Sequence, residues 1–131
     1  QYQKAEEAYV AAGATRTADY ASLLKSIGAN LGNRGHYDRE MEQYQKAEEA
    51  YVAAGATRTA DYADLLNSMG ANLTTRGHYD RGMEQYQKAE EAYVAAGATR
   101  TAGYASLLMS MGANLTKGGH YDRGMEQYQK A

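Results

Sequence analysis

The sequence contains no cysteine, proline, tryptophan or phenylalanine. Without cysteine there can be no disulfide bond, thiolate metal site or cysteine nucleophile, which is typical of intracellular proteins. No apolar run approaches the roughly 18 residues that a membrane helix needs, and no charged-then-apolar leader opens the chain. We therefore expect a cytoplasmic protein with no membrane contact.

An excess of charge of one sign is also missing. Fourteen basic and 16 acidic residues are spread along the chain, giving a formal net charge of −2. Because no basic stripe exists to neutralise a phosphate backbone, nucleic acid is not an expected partner. The 44% hydrophobic and 23% charged content is typical of a folded domain.

An internal repeat fills the chain. The segment QYQKAEEAYVAAGATRTA begins at Gln1, Gln43 and Gln85, a spacing of 42 residues. We define three copies, 1–42, 43–84 and 85–126, and residues 127–131 repeat the opening five residues. The second copy differs from the first at six positions and from the third at five, and the first differs from the third at seven. We expect 1–131 to be a single solenoid, cut from a longer array of natural or designed origin.

Each copy has the pattern of two amphipathic helices. Helix A carries apolar residues at three- and four-residue steps, with Thr17 as its predicted N-cap and a break from Gly32 to Gly35. Its predicted core face consists of Tyr20, Leu23, Leu24, Ile27 and Leu31. Helix B is predicted to end at Gly55 and to bury Tyr37, Met41, Tyr44, Ala47 and Tyr51. Such a helix pair cannot bury its apolar faces alone, so we expect the copies to stack around one core.

The pattern resembles the tetratricopeptide repeat (TPR) family, in the long 42-residue form of the kinesin light chain. The resemblance covers the whole chain and is strongest at Leu24, Ile27, Gly28, Leu31, Gly35, Tyr37, Tyr44 and Ala47. It implies an all-α, right-handed superhelical α-solenoid of antiparallel helix hairpins. It also implies a non-enzymatic scaffold that binds another protein or peptide segment on the concave face formed by helices A.

The chain departs from the family pattern in three respects. The small residue early in helix B is Gly82 and Gly124 in two copies but Glu40 in the first, which argues against close helix approach there. The proline that often closes the family's hairpin is absent. The basic and asparagine residues with which some members hold a terminal carboxylate do not recur in helix A, so that ligand is not expected.

The copies differ mainly in helix A and in the turn that follows it. The differing slots are 19/61/103, 22/64/106, 25/67/109, 32/74/116, 33/75/117 and 34/76/118. Their spacing places nearly all of them on the side of helix A opposite the core face. In the family, this opposite side lines the concave groove. We interpret this side as a recognition surface, and drift of exposed positions is the competing interpretation. The predicted protein-binding residues are Asp19, Ser22, Lys25, Ala29, Asn33, Asp61, Asp64, Asn67, Ala71, Thr75, Ser106, Met109, Ala113 and Lys117.

Catalysis, metal binding and cofactor binding have no support in the sequence. His36, His78 and His120 occupy the same slot in successive copies, and residues one repeat apart cannot converge on one metal ion. We expect them to serve in turns or caps, with the neighbouring Asp38, Asp80 and Asp122 favouring the start of helix B. The sequence predicts no catalytic residues and no cofactor.

Tyrosine and asparagine supply the remaining polar candidates. The 13 tyrosines are predicted to pack in the core with each hydroxyl reaching a partner or water. Asn30, Asn72 and Asn114 lie beside the core face, where a hydrogen-bond ladder between hairpins is favoured over contact with a ligand.

The sequence thus predicts a protein-protein interaction scaffold, and the family resemblance implies the recognition region of a larger signalling receptor. Two alternatives stay open. One is a self-assembling array in which chains stack end to end, since an open heterologous interface builds filaments. The other is an artificial repeat array with no native partner.

Overall fold

The computed structural model describes residues 2–11, 13 and 17–118. This described part contains six α-helices and no β-strand. The helices are α1 (Tyr2–Ala11), α2 (Ala18–Asn33), α3 (Tyr37–Ala53), α4 (Ala60–Thr75), α5 (Tyr79–Ala95) and α6 (Ala102–Lys117). Helices α2, α4 and α6 are the copies of helix A, α3 and α5 are copies of helix B, and α1 is the end of a helix B. The predicted all-α class is confirmed.

Each helix A begins at a threonine N-cap, as predicted. Oγ1 of Thr17, Thr59 and Thr101 accepts a hydrogen bond from the backbone N–H three residues later, at 3.1, 3.2 and 3.2 Å. The cap satisfies one of the free N–H groups of the first turn. Helix A therefore starts at the same position of every copy.

Glycine ends the helices where the sequence predicts breaks. Gly35 follows α2 with φ +81° and Gly55 follows α3 with φ +67°, conformations that carry a steric penalty for residues with a Cβ atom. After α2, the N–H of His36 donates to the Leu31 carbonyl and the N–H of Gly35 to the Gly32 carbonyl, both at 2.9 Å. This pair of bonds is a Schellman cap, and it turns the chain directly into α3.

The chain divides into two compact units, Gln1–Thr57 and Arg58–Ala131. The first unit contains α1, α2 and α3, and the second contains α4, α5 and α6. Each unit therefore includes one complete helix A–helix B hairpin.

In the first unit, α2 and α3 form an antiparallel hairpin. Gly28 lies against Tyr44, and Gly32 lies against Glu40, so position numbers fall along α3 as they rise along α2. A Cβ atom at residue 28 would lie 2.7 Å from Tyr44 Cε1. Glycine at this slot therefore lets the buried ring of Tyr44 lie directly on α2.

Burial in the first unit follows the predicted core with exceptions. Leu24, Met41, Tyr44, Ala47 and Tyr51 are buried. The prediction for Tyr37 was wrong, since its side chain is 39% exposed. Tyr37 is the first residue of α3, so it lies at the end of the hairpin, next to the turn that follows α2.

The second unit repeats the hairpin, and the third helix of this unit, α6, follows the hairpin. Gly70 lies against Tyr86, and Gly82 lies against Thr74, so α4 and α5 are antiparallel in the same register as α2 and α3. Helix α6 packs against both α4 and α5. Of the predicted core residues, Tyr62 and Tyr104 are half-buried, as are Leu23, Ile27 and Leu31 of α2. The other four predicted core slots of α4 and α6 are buried. The buried residues at those slots are Leu65, Leu66, Met69, Leu73, Leu107, Leu108, Met111 and Leu115.

Candidate protein-binding surface

Residues spaced three or four apart form one solvent-facing side of each helix A, which we call the stripe. The stripe consists of Asp19, Ser22, Lys25, Ala29 and Asn33 on α2, Asp61, Asp64, Asn67, Ala71 and Thr75 on α4, and Ser106, Met109, Ala113 and Lys117 on α6. Most of these side chains are exposed, and Lys25, Asp64, Asn67 and Ala113 are half-buried. The side of helix A that the sequence singles out therefore faces solvent. The α2 part belongs to the first unit, and the α4 and α6 parts lie on packed neighbours in the second.

Asp64 is held by the protein itself. The Tyr93 hydroxyl donates a hydrogen bond to Asp64 Oδ1, and Tyr93 is only 1% exposed. In the first unit the same slots form a looser contact, with 3.3 Å between the hydroxyl oxygens of Ser22 and Tyr51. The difference between serine and aspartate at this slot therefore changes an internal contact as well as the surface.

Thr74 does not lie on the stripe, although the sequence analysis grouped its slot with the groove. Its side chain is buried and accepts a hydrogen bond from Asn114 Nδ2 at 2.8 Å. A Cβ atom at Gly82 would collide with Thr74 Oγ1. The interpretation of slot 32/74/116 as a recognition position was wrong for this copy, because a residue on the hairpin side of helix A packs against helix B.

The first hairpin fills the same space in another way. A Cβ atom at Gly32 would overlap the carboxylate of Glu40, and that carboxylate accepts a 3.1 Å hydrogen bond from the Tyr44 hydroxyl. Glu40 was expected to prevent close helix approach, yet α2 and α3 pack because Gly32 leaves room for its side chain. The exchange of Gly32 and Glu40 for Thr74 and Gly82 is a packing compensation. Gly124 lies outside the described residues.

Asn114 joins neighbouring helices, as the ladder hypothesis predicts. Besides Thr74, its Nδ2 reaches the backbone carbonyl of Tyr79 on α5 at 3.0 Å. Asn72 is also buried, and its Oδ1 accepts a 3.4 Å bond from Arg76 Nη1. Asn30 is exposed. In the second unit, Asn72 and Asn114 are therefore packing residues and do not form part of the exposed surface.

Two slots on the stripe differ between copies, and within the part of the chain that the structure describes no internal hydrogen bond explains the difference. The first holds Lys25, Asn67 and Met109, and the second holds Asn33, Thr75 and Lys117. Met109 is 50% exposed, one of the few large apolar side chains in the described part that solvent reaches. Sequence spacing alone could not separate these slots from the packing slots, because the partners of Asp64 and Thr74 lie on other helices.

The histidines take the predicted positions but do not act as caps through their side chains. His36 and His78 are the N-cap residues of α3 and α5, and neither makes a side-chain capping hydrogen bond. Asp38 and Asp80 lie in the first turns of those helices, where negative charge is favourable. His120 and Asp122 lie outside the described residues, as does the segment 127–131.

Two tyrosine hydroxyls of helices A donate hydrogen bonds to glutamates of the preceding helix B. Tyr20 donates to Glu6 Oε2 and Tyr104 donates to Glu90 Oε2, each at 3.0 Å. Burial, and then the bond and charge of the nearby glutamate, raises the pKa of both tyrosines. These carboxylates therefore serve the packing of helix A on the preceding helix B.

Across residues 2–11, 13 and 17–118, no three His, Cys, Asp or Glu side chains are grouped so as to hold a metal ion. Within the same residues, every helix is too short or too polar to cross a membrane.

Comparison with known proteins gives structural similarity without sequence similarity. No protein-family model matches the sequence, and no curated protein matches it. Among solved structures, the chain is similar to BtubC (BKLC) from P. vanneervenii, with a TM-score of 0.89 and 15% sequence identity. The chain is an all-α helical-repeat solenoid. The likeness supports a fold of the TPR type. It covers 98% of this chain and 52% of BtubC, so the chain spans about half the length of that protein.

Proposed function

We propose that this chain is a non-enzymatic scaffold that binds a segment of another protein on the stripe of its helices A. The observation that carries the proposal is the location of the unexplained differences between copies. Slots 25/67/109 and 33/75/117 change from copy to copy and lie on the stripe. Variation on a solvent-facing side of a repeat is what a recognition surface requires.

Drift of exposed positions accounts less well for this distribution. Helix B has its own solvent-facing side, on which Lys46 and Glu49 of α3 and Lys88 and Glu91 of α5 are exposed. Those slots are identical in the copies. Random change would affect both exposed sides alike, so the absence of change at these exposed slots of helix B favours recognition.

Each copy offers the partner a different chemistry at the same place. Lys25 supplies a cation, Asn67 an amide that both donates and accepts hydrogen bonds, and Met109 a flexible apolar side chain. In the second unit, Asn67 and Met109 lie on the packed helices α4 and α6. A segment crossing these helices would meet a hydrogen-bonding position and then an apolar one, which would fix its direction. The scaffold would belong to a larger cytoplasmic signalling protein.

The test is affinity capture with two triple variants of matched chemistry. The stripe variant combines Lys25→Ala, Asn67→Ala and Met109→Ala. The control combines Lys46→Ala, Gln87→Ala and Val94→Ala on the exposed side of helices B, where Val94 is 59% exposed. Circular dichroism should show that both remain folded.

We expect proteins captured by the wild-type chain to be retained by the control variant and lost from the stripe variant. For one recovered partner, titration calorimetry should show an affinity loss of about tenfold or more, as for removal of central contact residues. Equal binding by all three proteins would refute the stripe as the binding surface. Failure of the wild-type chain to capture any protein would favour an array without a partner.

A further inference from the structure

Several differences between the copies meet where α6 packs against α4 and α5. Asp64, Thr74 and Gly82 are three of the six positions at which the second copy differs from the first. Gly103, on α6, is one of the five at which the third copy differs from the second. The structure brings these four positions to the same junction within the second unit.

The first contact joins Asp64 to Gly103. A Cβ atom at residue 103 would lie 2.9 Å from Asp64 Oδ1 and 2.8 Å from the hydroxyl oxygen of Tyr93. The other copies have aspartate at this slot, at Asp19 and Asp61. An aspartate at residue 103 would place a second carboxylate beside that of Asp64 and disturb its bond from Tyr93, and like charges at such a distance repel.

The second contact joins Thr74 to Asn114. The Thr74 hydroxyl accepts the 2.8 Å bond from Asn114, and Gly82 leaves the space that this arrangement needs. The first copy has Gly32 in place of the threonine and Glu40 in place of the glycine. A repeat with those two residues has no hydroxyl to offer and fills the space with a carboxylate.

We infer that Asp64 and Gly103 are matched across the junction, with Thr74 and Gly82 shaping the second copy's side of it, so that the second copy is adapted to be followed by the third and the copies are not interchangeable. Nearly identical repeats are prone to misassembly within a chain and to domain swapping between chains. Matched differences at one junction favour the correct neighbour, because a copy with aspartate at the Gly103 slot packs poorly after Asp64.

The variant Gly103→Asp tests this inference, because the inference and helix propensity predict changes of opposite sign in the stability of the chain. Position 103 lies in the first turn of α6, where replacing glycine by an acidic residue should stabilise an isolated helix. The matching predicts the opposite. We expect the unfolding equilibrium constant of the full chain, measured by urea denaturation, to rise by about tenfold, within the range of coupling between contacting residues.

The rescue variant is Asp64→Ser combined with Gly103→Asp, which restores the order of serine and then aspartate found at Ser22 and Asp61. In the Asp64→Ser background, Gly103→Asp should leave the equilibrium constant unchanged or lower it. The matched control is Ser106→Asp, which adds the same group at an exposed position of α6 and should change the constant by less than about threefold.

A stabilising effect of Gly103→Asp beside Asp64 would overturn the inference. So would an equal loss in both backgrounds, or an equal loss from Ser106→Asp. If Gly103→Asp alone does not fold, recovery of a folded chain by Asp64→Ser supports the matching, and failure to recover it counts against the matching.

Discussion

At the scale of single residues, tyrosine joins the apolar core to its polar edge. The ring of Tyr93 packs on that of Tyr104 with a centroid distance of 5.7 Å, while the Tyr93 hydroxyl bonds to Asp64 on another helix. Tyr9 and Tyr20 make the same ring contact at 5.7 Å in the first unit. A phenylalanine core would bury similar area but could not satisfy the half-buried carboxylates.

These buried tyrosines predict a loss of stability in alkali. Burial, and then the bond and charge of Asp64, raises the pKa of Tyr93 above its ordinary value of 10.0. Below pH 10 the phenol is protonated in both the folded and the unfolded chain, so the free energy of unfolding does not vary with pH through this group. Above that pH the unfolded chain releases the proton first, and the free energy of unfolding falls by up to about 1.4 kcal/mol per pH unit for one such group.

The variant Tyr93→Phe should therefore flatten the alkaline fall in stability between pH 10 and the raised pKa. It should also cost about 1 kcal/mol at neutral pH, since Asp64 loses its donor. Urea denaturation at a series of pH values measures both effects. The matched control is Tyr37→Phe, which makes the same substitution at a residue that is 39% exposed. An unaltered alkaline slope in Tyr93→Phe would show that this phenol does not contribute.

At the scale of helices and hairpins, the sequence predicts what depends on neighbours along the chain. Thr17, Gly35 and Gly55 act within one helical turn, so their roles as cap and breaks could be read from residue type and spacing. The partners of Asp64 and Thr74 could not, because they depend on which residue faces them from another helix. The stripe was predictable as a face of helix A, but its division into packing and surface slots was not.

The two hairpins differ by a coupled exchange that predicts how each will tolerate the other's residues. Gly32→Thr alone should force the Glu40 carboxylate away and break its bond to Tyr44, at a cost of about 1 kcal/mol. Glu40→Gly alone loses the same bond and puts a glycine inside α3, costing about 1 kcal/mol or more. Together the two changes reproduce the residues of the second hairpin, so their costs should partly cancel, with a coupling of about 1 kcal/mol.

Urea denaturation of the wild-type chain, the two single variants and the double variant measures the coupling energy. Hydrogen exchange of α2 and α3 amides shows whether the change in stability lies in the first unit. Asn33→Thr is a matched control, because it introduces the same side chain at the adjacent exposed position. We expect it to change the free energy of unfolding by less than about 0.5 kcal/mol. Strict additivity of Gly32→Thr and Glu40→Gly would contradict the compensation.

At the scale of the whole molecule, the same contact joins a helix B to the following helix A within each of the two units. In the first unit, Tyr20 bonds to Glu6 and packs on Tyr9. In the second, Tyr104 bonds to Glu90 and packs on Tyr93. A contact that recurs with identical residues could also form between chains. The scaffold and the end-to-end array therefore differ in what they predict for association in solution.

Sedimentation velocity over a wide concentration series separates the two accounts. The scaffold proposal expects a monomer of 14.3 kDa at every concentration, because binding on the stripe needs no second copy. Reversible growth beyond a dimer would make end-to-end assembly the leading function, since an open heterologous interface does not stop at two chains. The stripe variant is the control here, because its three changes lie away from the helix B–helix A contact and should leave the sedimentation unchanged. If that variant abolished growth, the stripe itself would be the surface on which the chains associate.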